Sequence, residues 1–210
     1  MIRPSGLSLR QTNNAGRGEP FHNITRLEEI AREKGVGIDK MEVWFEDEAR
    51  IGQKNKIPRR WAKRGSRPSA PKDQRAASTY IFDAICPKQG KGAALVLPAC
   101  NAFAMNLLLA EIGKNIAPNA HAALIVDRAG WHMTEKLVIP ANTIVPLPAK
   151  CAELNPAENV WRFVRDNWLS NRVFKSYDDI VDRCCDAWNR FVDQPWRIIS
   201  IGLRDWAQRF

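Results

Sequence analysis

Histidine is scarce in this chain, at three in 210 residues, and the five cysteines are scattered as Cys86, Cys100, Cys151, Cys184 and Cys185 with no C-x-x-C spacing. That supply argues against a histidine and cysteine zinc cluster and against a dithiol redox motif, so the thiols read as reduced packing residues. No apolar run approaches the roughly 20 residues that span a bilayer, and the N-terminus lacks the apolar stretch of a secretion signal. No membrane partner is expected. Acid is in deficit too: 23 Asp and Glu against 32 Lys and Arg leave a formal charge of +9. A surplus of that sign exceeds what solubility needs and favours a polyanionic partner, with nucleic acid foremost.

What is present is enough for one substantial core. Residues 1–22 are rich in Gly, Pro, Asn and Arg and are expected to form a disordered leader, with a single domain over 23–210. Thr25 and Glu28 make a capping-box pattern ahead of Leu27, Ile30 and Ala31, and Gly35 supplies a stop. Strands are predicted from Glu42 to Asp47, Ser78 to Ile85, Ala93 to Leu97, Ala122 to Val126 and Thr143 to Leu147. Between the third and fourth of these, Asn101 caps a helix whose stripe is Phe103, Leu107, Leu108, Ala110 and Ile112. A short helix is predicted near Glu135 to Val138. Asn155 and Pro156 open another, with Val160, Trp161, Val164 and Trp168 inward, and helices covering the core fill Ser176 to Phe210.

Two features in this layout carry chemistry. A basic tract, Lys54, Lys56, Arg59, Arg60, Lys63, Arg64 and Arg67 with Trp61 among them, could neutralise phosphates while the indole stacks on a base; a solvated basic hairpin ending in the Gly65-Ser66 turn fits the same residues. The second is a set of acids from three separate segments. Asp47 lies between Glu46 and Glu48, and period-two alternation groups it with Val43 and Phe45, although a solvated acidic turn fits equally. Asp127 ends an apolar strand and could equally cap the next helix. Glu158 sits in the first turn after Asn155, where glutamate commonly completes a cap. Together they suggest a metal site made of carboxylates, which suits magnesium or manganese. Two such ions about 4 Å apart serve phosphoryl transfer.

The segments WFEDEARIG at 44–52, LIVDRAGWH at 124–132 and ELNPAENVWR at 153–162 resemble, in order and separation, the motifs of mariner-related transposases of bacterial insertion sequences, specifically the insertion sequence 630 family. The resemblance covers roughly residues 40–206. It implies an RNase H-like α/β domain, a mixed five-stranded sheet flanked by helices, whose Asp, Asp, Glu triad falls on Asp47, Asp127 and Glu158. It also implies two Mg2+ or Mn2+ ions, DNA strand cleavage and strand transfer, insertion-sequence ends and target DNA as partners, and a homodimer when active. His132, Asn155 and Asn159 belong to the same motifs and would support the acids. Family members carry an N-terminal helix-turn-helix region that is not legible in this chain. The expectation is therefore a partial product, completed by an upstream-frame helix-turn-helix product or decayed. The alternative is a catalytically inactive DNA-binding remnant or regulator of the full-length transposase. Either would work in the cytoplasm, on the nucleoid.

Overall fold

The computed structural model describes residues 20–53, 63–66, 75–139, 142–147, 154–170, 172–208 and 210, with the side chains of 20–23, 142 and 206 left out of the description. The N-terminal leader up to residue 19, Cys151 and most of the basic tract lie outside these residues.

Helix α1 (Pro20–Lys34) starts five residues ahead of Thr25, so the Thr25 and Glu28 pair lies inside the helix rather than capping it. Gly35 does end it. With φ at 64° it takes the left-handed conformation that glycine tolerates, its N–H bonds Arg32 O and the Val36 N–H bonds Ala31 O, which is a Schellman closure. The chain then enters β1 (Met41–Gly52), returns as β2 (Ser78–Cys86) and again as β3 (Lys91–Leu97), crosses through α2 (Ala102–Asn115), and adds β4 (His121–Val126) and β5 (Asn142–Pro146). The sheet order is β3-β2-β1-β4-β5; β1, β2 and β3 pair antiparallel, whereas β4 lies parallel to both β1 and β5. Every strand predicted from β-favouring runs is present, and β1 is longer than predicted because Glu48 to Gly52 continue to pair with β2.

Alternation divides the core in two. Val43, Phe45, Ile81, Ile85, Ala123 and Ile125 face a layer made by α1, α3 (Ala157–Val164), α4 (Tyr177–Val192) and α5 (Pro195–Gly202). Trp44, Phe82, Ala84, Leu124 and Val126 face α2 alone. Asn101 caps α2 as predicted, accepting the Ala104 N–H at 2.9 Å. The buried stripe is instead Ala104, Met105, Leu108, Leu109 and Ile112, leaving Phe103, Leu107 and Ala110 exposed. The helix is apolar almost all round, so periodicity alone does not fix which side turns inward. Residues 131–139 form turns, not the short helix predicted near Glu135 to Val138, and Asn106 ties them to α2 through Lys136 O and the Val138 N–H. After α3, Arg165–Leu169 widen into a π turn, with Ser170 N bonded to Arg165 O. That extra residue per turn moves the inward position from Trp168 to the buried Leu169. Trp168 packs edge-on against Phe163. Ser176 caps α4 by accepting the Asp179 N–H, and Gly92 lets that helix approach β3, since a Cβ there would stand 3.0 Å from the Trp188 ring.

Candidate active site

Parallel pairing sets the geometry of the site. The last registered pair between β1 and β4 is Phe45 with Ile125, and Asp47 and Asp127 each follow by two residues. Asp47 therefore leaves β1 on the face of Phe45, while Asp127 stands one residue beyond the end of the adjacent β4, with its carboxylate turned to His132. On the other side of β1, Asp47 is paired directly with Asp83 of β2. Asp47 and Asp83 thus stand side by side in a row across β1 and β2. Glu158, exposed in the first turn of α3, comes from the helix layer on that same face, and it shares with Asp47 a cleft of about 330 Å³ bounded by β1 and α3.

The helix start is fixed to the strand by Asn155. Its side-chain amide donates to Glu46 O at 2.7 Å and its Oδ1 accepts the Ala157 N–H at 3.1 Å, so one buried residue joins β1 to α3 and caps the helix. Pro156, with φ at −68°, is set for the helical turn it opens. Asn159 is exposed on α3, and among the described residues its side chain makes no hydrogen bond. Glu158 likewise makes no hydrogen bond back to its own helix among the described residues, which removes the capping role that its position suggests.

The charges in this row are under-compensated. Burial pushes the Asp47 carboxyl up to about 7; the backbone N–H of Glu48 opposes this, and the charges of Glu48, Glu158 and Asp127 add to it. Asp83 is fully buried with neither oxygen hydrogen-bonded, and burial followed by the charges of Asp47 and Glu46 drives its acid well above the carboxylate range. The Trp161 indole N–H exerts a small opposite pull on Asp83 but falls outside hydrogen-bond geometry. By contrast Glu42, equally buried at the start of β1, is fully satisfied by the Trp44 indole, the Ala117 N–H and the Lys91 ammonium. Burial of acid is therefore tolerated where donors are supplied, and none in hydrogen-bond geometry is supplied to Asp83.

The opposite face of β1 carries a second group. His132, 2% exposed, places Nε2 3.2 Å from Glu46 and 3.5 Å from Glu48, while Nδ1 lies 2.8 Å from Asp127 Oδ1. A carboxylate only accepts, so Nδ1 carries the proton and donates to Asp127. The Nε2 contact to Glu46 is at ion-pair distance but poorly aimed as a hydrogen bond. Burial would lower the imidazolium pKa, but Glu46, Glu48 and Asp127 outweigh it and push it up to about 9. The ligand atoms of Glu46, Glu48 and His132 lie within 4.8 Å of one another, spacing that a metal would also accept. A charged imidazolium already supplies the positive charge there. Glu48 is further engaged by the Trp131 indole and the Cys100 thiol. Asp127 Oδ1 also accepts the Ala129 N–H at 2.8 Å, which leaves Oδ2 directed outward.

Of the residues predicted for the site, Asp47, Asp127, Glu158, His132 and Asn155 are thus brought to one end of the β1 and β4 pair. In the basic tract, Lys63 and Arg64 are exposed in a turn closed by Ser66 N to Lys63 O, while Lys54, Lys56, Arg59, Arg60, Trp61 and Arg67 lie outside the described residues. Two elements of the site were missed. Asp83 reads in sequence as one polar residue in a strand, and only pairing sets it against Asp47. Arg50, Arg162 and Arg165 line the cleft beside Asp47 and Glu158, and the spacing of Glu158, Arg162 and Arg165 by four and three was a legible helical-face signal.

A family profile described as DDE superfamily endonuclease matches residues 42–181. An uncharacterized protein, y4pE/y4sA of Sinorhizobium fredii (strain NBRC 101917 / NGR234), is 63% identical over 131 residues, 62% of this chain and 97% of that protein. Among solved structures, the Mos1 strand transfer complex is similar with a TM-score of 0.56 at 17% identity, covering 97% of this chain and 67% of the other. The Mos1 mariner paired end complex with Mn gives 0.57 at 16% identity, covering 97% and 68%. The fold is RNase H-like.

Proposed function

We propose, for a chain that belongs to the DDE superfamily endonucleases, that it is the catalytic part of a DNA transposase of the insertion sequence 630 type, with Asp47, Asp127 and Glu158 as its metal-binding carboxylates. The observation that supports this is the parallel pairing of β1 with β4, whose ends carry Asp47 and Asp127, together with the cleft that Asp47 shares with Glu158. A donor set of carboxylate oxygens short of positive charge fits Mg2+ or Mn2+. Such ions, bound as a pair, activate an attacking oxygen and stabilise the leaving oxygen of an in-line phosphodiester displacement.

The chain's own residues supply placement. Strand pairing fixes Asp47 and Asp127, His132 holds Asp127 through Oδ1 so that Oδ2 faces outward, and Asn155 ties the start of α3 to β1 so that Glu158 projects into the cleft. Asn159, next to Glu158, stands free to meet substrate. The basic tract from Lys54 to Arg67 would hold DNA. Strand transfer and a homodimer on paired ends complete the reading. Work on DNA in the cytoplasm is consistent with the absence, among the described residues, of a helix long and apolar enough to cross a membrane.

The test is nicking of DNA carrying the element's ends by the purified chain with Mg2+ or Mn2+. Asp127→Asn should lower cleavage by more than the roughly 10- to 100-fold that losing a supporting partner of a ligand costs. Unchanged cleavage in that variant would sink the assignment. A second reading, a DNA-binding remnant without catalysis, is favoured by Asp83, which adds an unpartnered acid to the row. In that case the wild-type chain occupies ends without cutting them, and Asp127→Asn leaves occupancy intact.

A further inference from the structure

Three guanidinium groups line the cleft that Asp47 and Glu158 share: Arg50 from β1, and Arg162 and Arg165 from the helix side. All three are exposed. Arg162 has no hydrogen bond or ion pair among the described residues. Arg165 has only a 3.7 Å contact with its neighbour Asp166, and Arg50 donates to the Ser78 hydroxyl at 3.0 Å. None is committed to a carboxylate in the cleft, so nearly all of their donors remain available there.

Their spacing is ordered. Glu158, Arg162 and Arg165 are separated by four and three residues, which places them on one helical face. At 1.5 Å per residue, Arg162 stands about 6 Å and Arg165 about 10.5 Å along the axis from Glu158. A DNA strand presents a phosphate about every 3.4 Å along its duplex axis, so the two arginines match positions about two and three nucleotides away from the one at Glu158. The buried side of the helix, Ala157, Val160, Trp161 and Val164, holds the arginine side outward.

We infer that Arg50, Arg162 and Arg165 form a binding track for the phosphodiester backbone of the strand being cut, leading away from the carboxylates along α3. It rests on the transposase reading of the same site. The track grips phosphates and leaves bases unread, because guanidinium pairs with phosphate oxygens in a planar fork and no groove-reading element lines the cleft among the described residues. Its residues are separate in sequence from the basic tract of Lys54 to Arg67.

The experiment is fluorescence anisotropy of the whole chain with a labelled DNA duplex of arbitrary sequence in calcium buffer, repeated over a range of salt concentrations. Each of Arg50→Ala, Arg162→Ala and Arg165→Ala should reduce the slope of log affinity against log salt by about 0.9, and the triple variant by about 2.7. The triple Arg→Lys variant should restore most of the slope, since a lysine charge also displaces counterions. A wild-type chain that binds the duplex with a slope unchanged in the triple alanine variant overturns the track while leaving the transposase reading intact. A wild-type chain that binds no DNA at any salt overturns both. Should the triple alanine variant fold poorly, the three single variants, each at an exposed position, decide the matter.

Discussion

Asp83 has the same neighbours as a ligand and none of a ligand's freedom. It is fully buried, opposite Asp47, with no donor in hydrogen-bond geometry. Leaving a buried polar group unsatisfied costs about 1–3 kcal/mol, whereas an apolar replacement removes that cost. Asp83→Ala is therefore expected to raise stability by about 1–3 kcal/mol, read from urea unfolding midpoints; a lower midpoint would mean that the carboxyl has a partner, such as a bound cation, in solution. The contrast with Glu42 shows what was legible residue by residue and what was not. Alternation along β1 groups Asp47 with Phe45, but the pattern of three successive acids does not separate the ligand from its neighbours. Two of the three are engaged by His132, and that residue comes from a different strand's end. Contacts of such long range leave no mark in local spacing.

Strands were readable as elements because each is a short β-favouring run with clear ends. The helix layer was less so. A π turn displaces the buried position after α3 from Trp168 to Leu169, and an apolar α2 offers more than one face to bury. The junction of Asn155 with β1 joins two elements whose mutual position decides whether Glu158 reaches the cleft. Its removal leaves the Glu46 carbonyl and the Ala157 N–H without these partners. Asn155→Ala should cost about 1–2 kcal/mol of stability, the usual scale for a lost cap, and should depress cleavage further than it depresses folding. Cleavage measured well below the melting transition would distinguish the two effects; full activity there would show that α3 holds its place without the tie.

At the scale of the molecule, acid gathered at one end of the sheet makes stability depend on pH. Asp47 and Glu48 are pushed up to about 7 from ordinary values of 3.8 and 4.5, in each case by burial first and then by neighbouring carboxylates. Glu46 and Asp83 are raised as well, again by burial first. The folded chain therefore holds more protons than the unfolded chain above about pH 4, and stability falls as pH rises through 7. His132, raised to about 9 from 6.5, extends the loss: its contribution is whole below 6.5 and gone above 9. Thermal melts in EDTA should thus show the transition temperature declining from about pH 5 to about pH 9, and a divalent cation should flatten that decline. A transition temperature that climbs over this range would contradict the charge assignment.

The sheet order has one more consequence, which concerns time. Asp47, Asp127 and Glu158 are contributed by β1, by β4 and by the helix after β5, so they are separated by long stretches of chain and meet only through a parallel pair closed from a distance. Chain closure over such separations is slow, and synthesis proceeds from the N-terminus. A nascent chain that has not yet emerged past α3 lacks Glu158, and one whose β4 has not docked lacks the β1 and β4 pairing whose ends carry Asp47 and Asp127. On the proposed function, a chain assembled in this order would leave the DNA around it uncut until most of its length has left the ribosome.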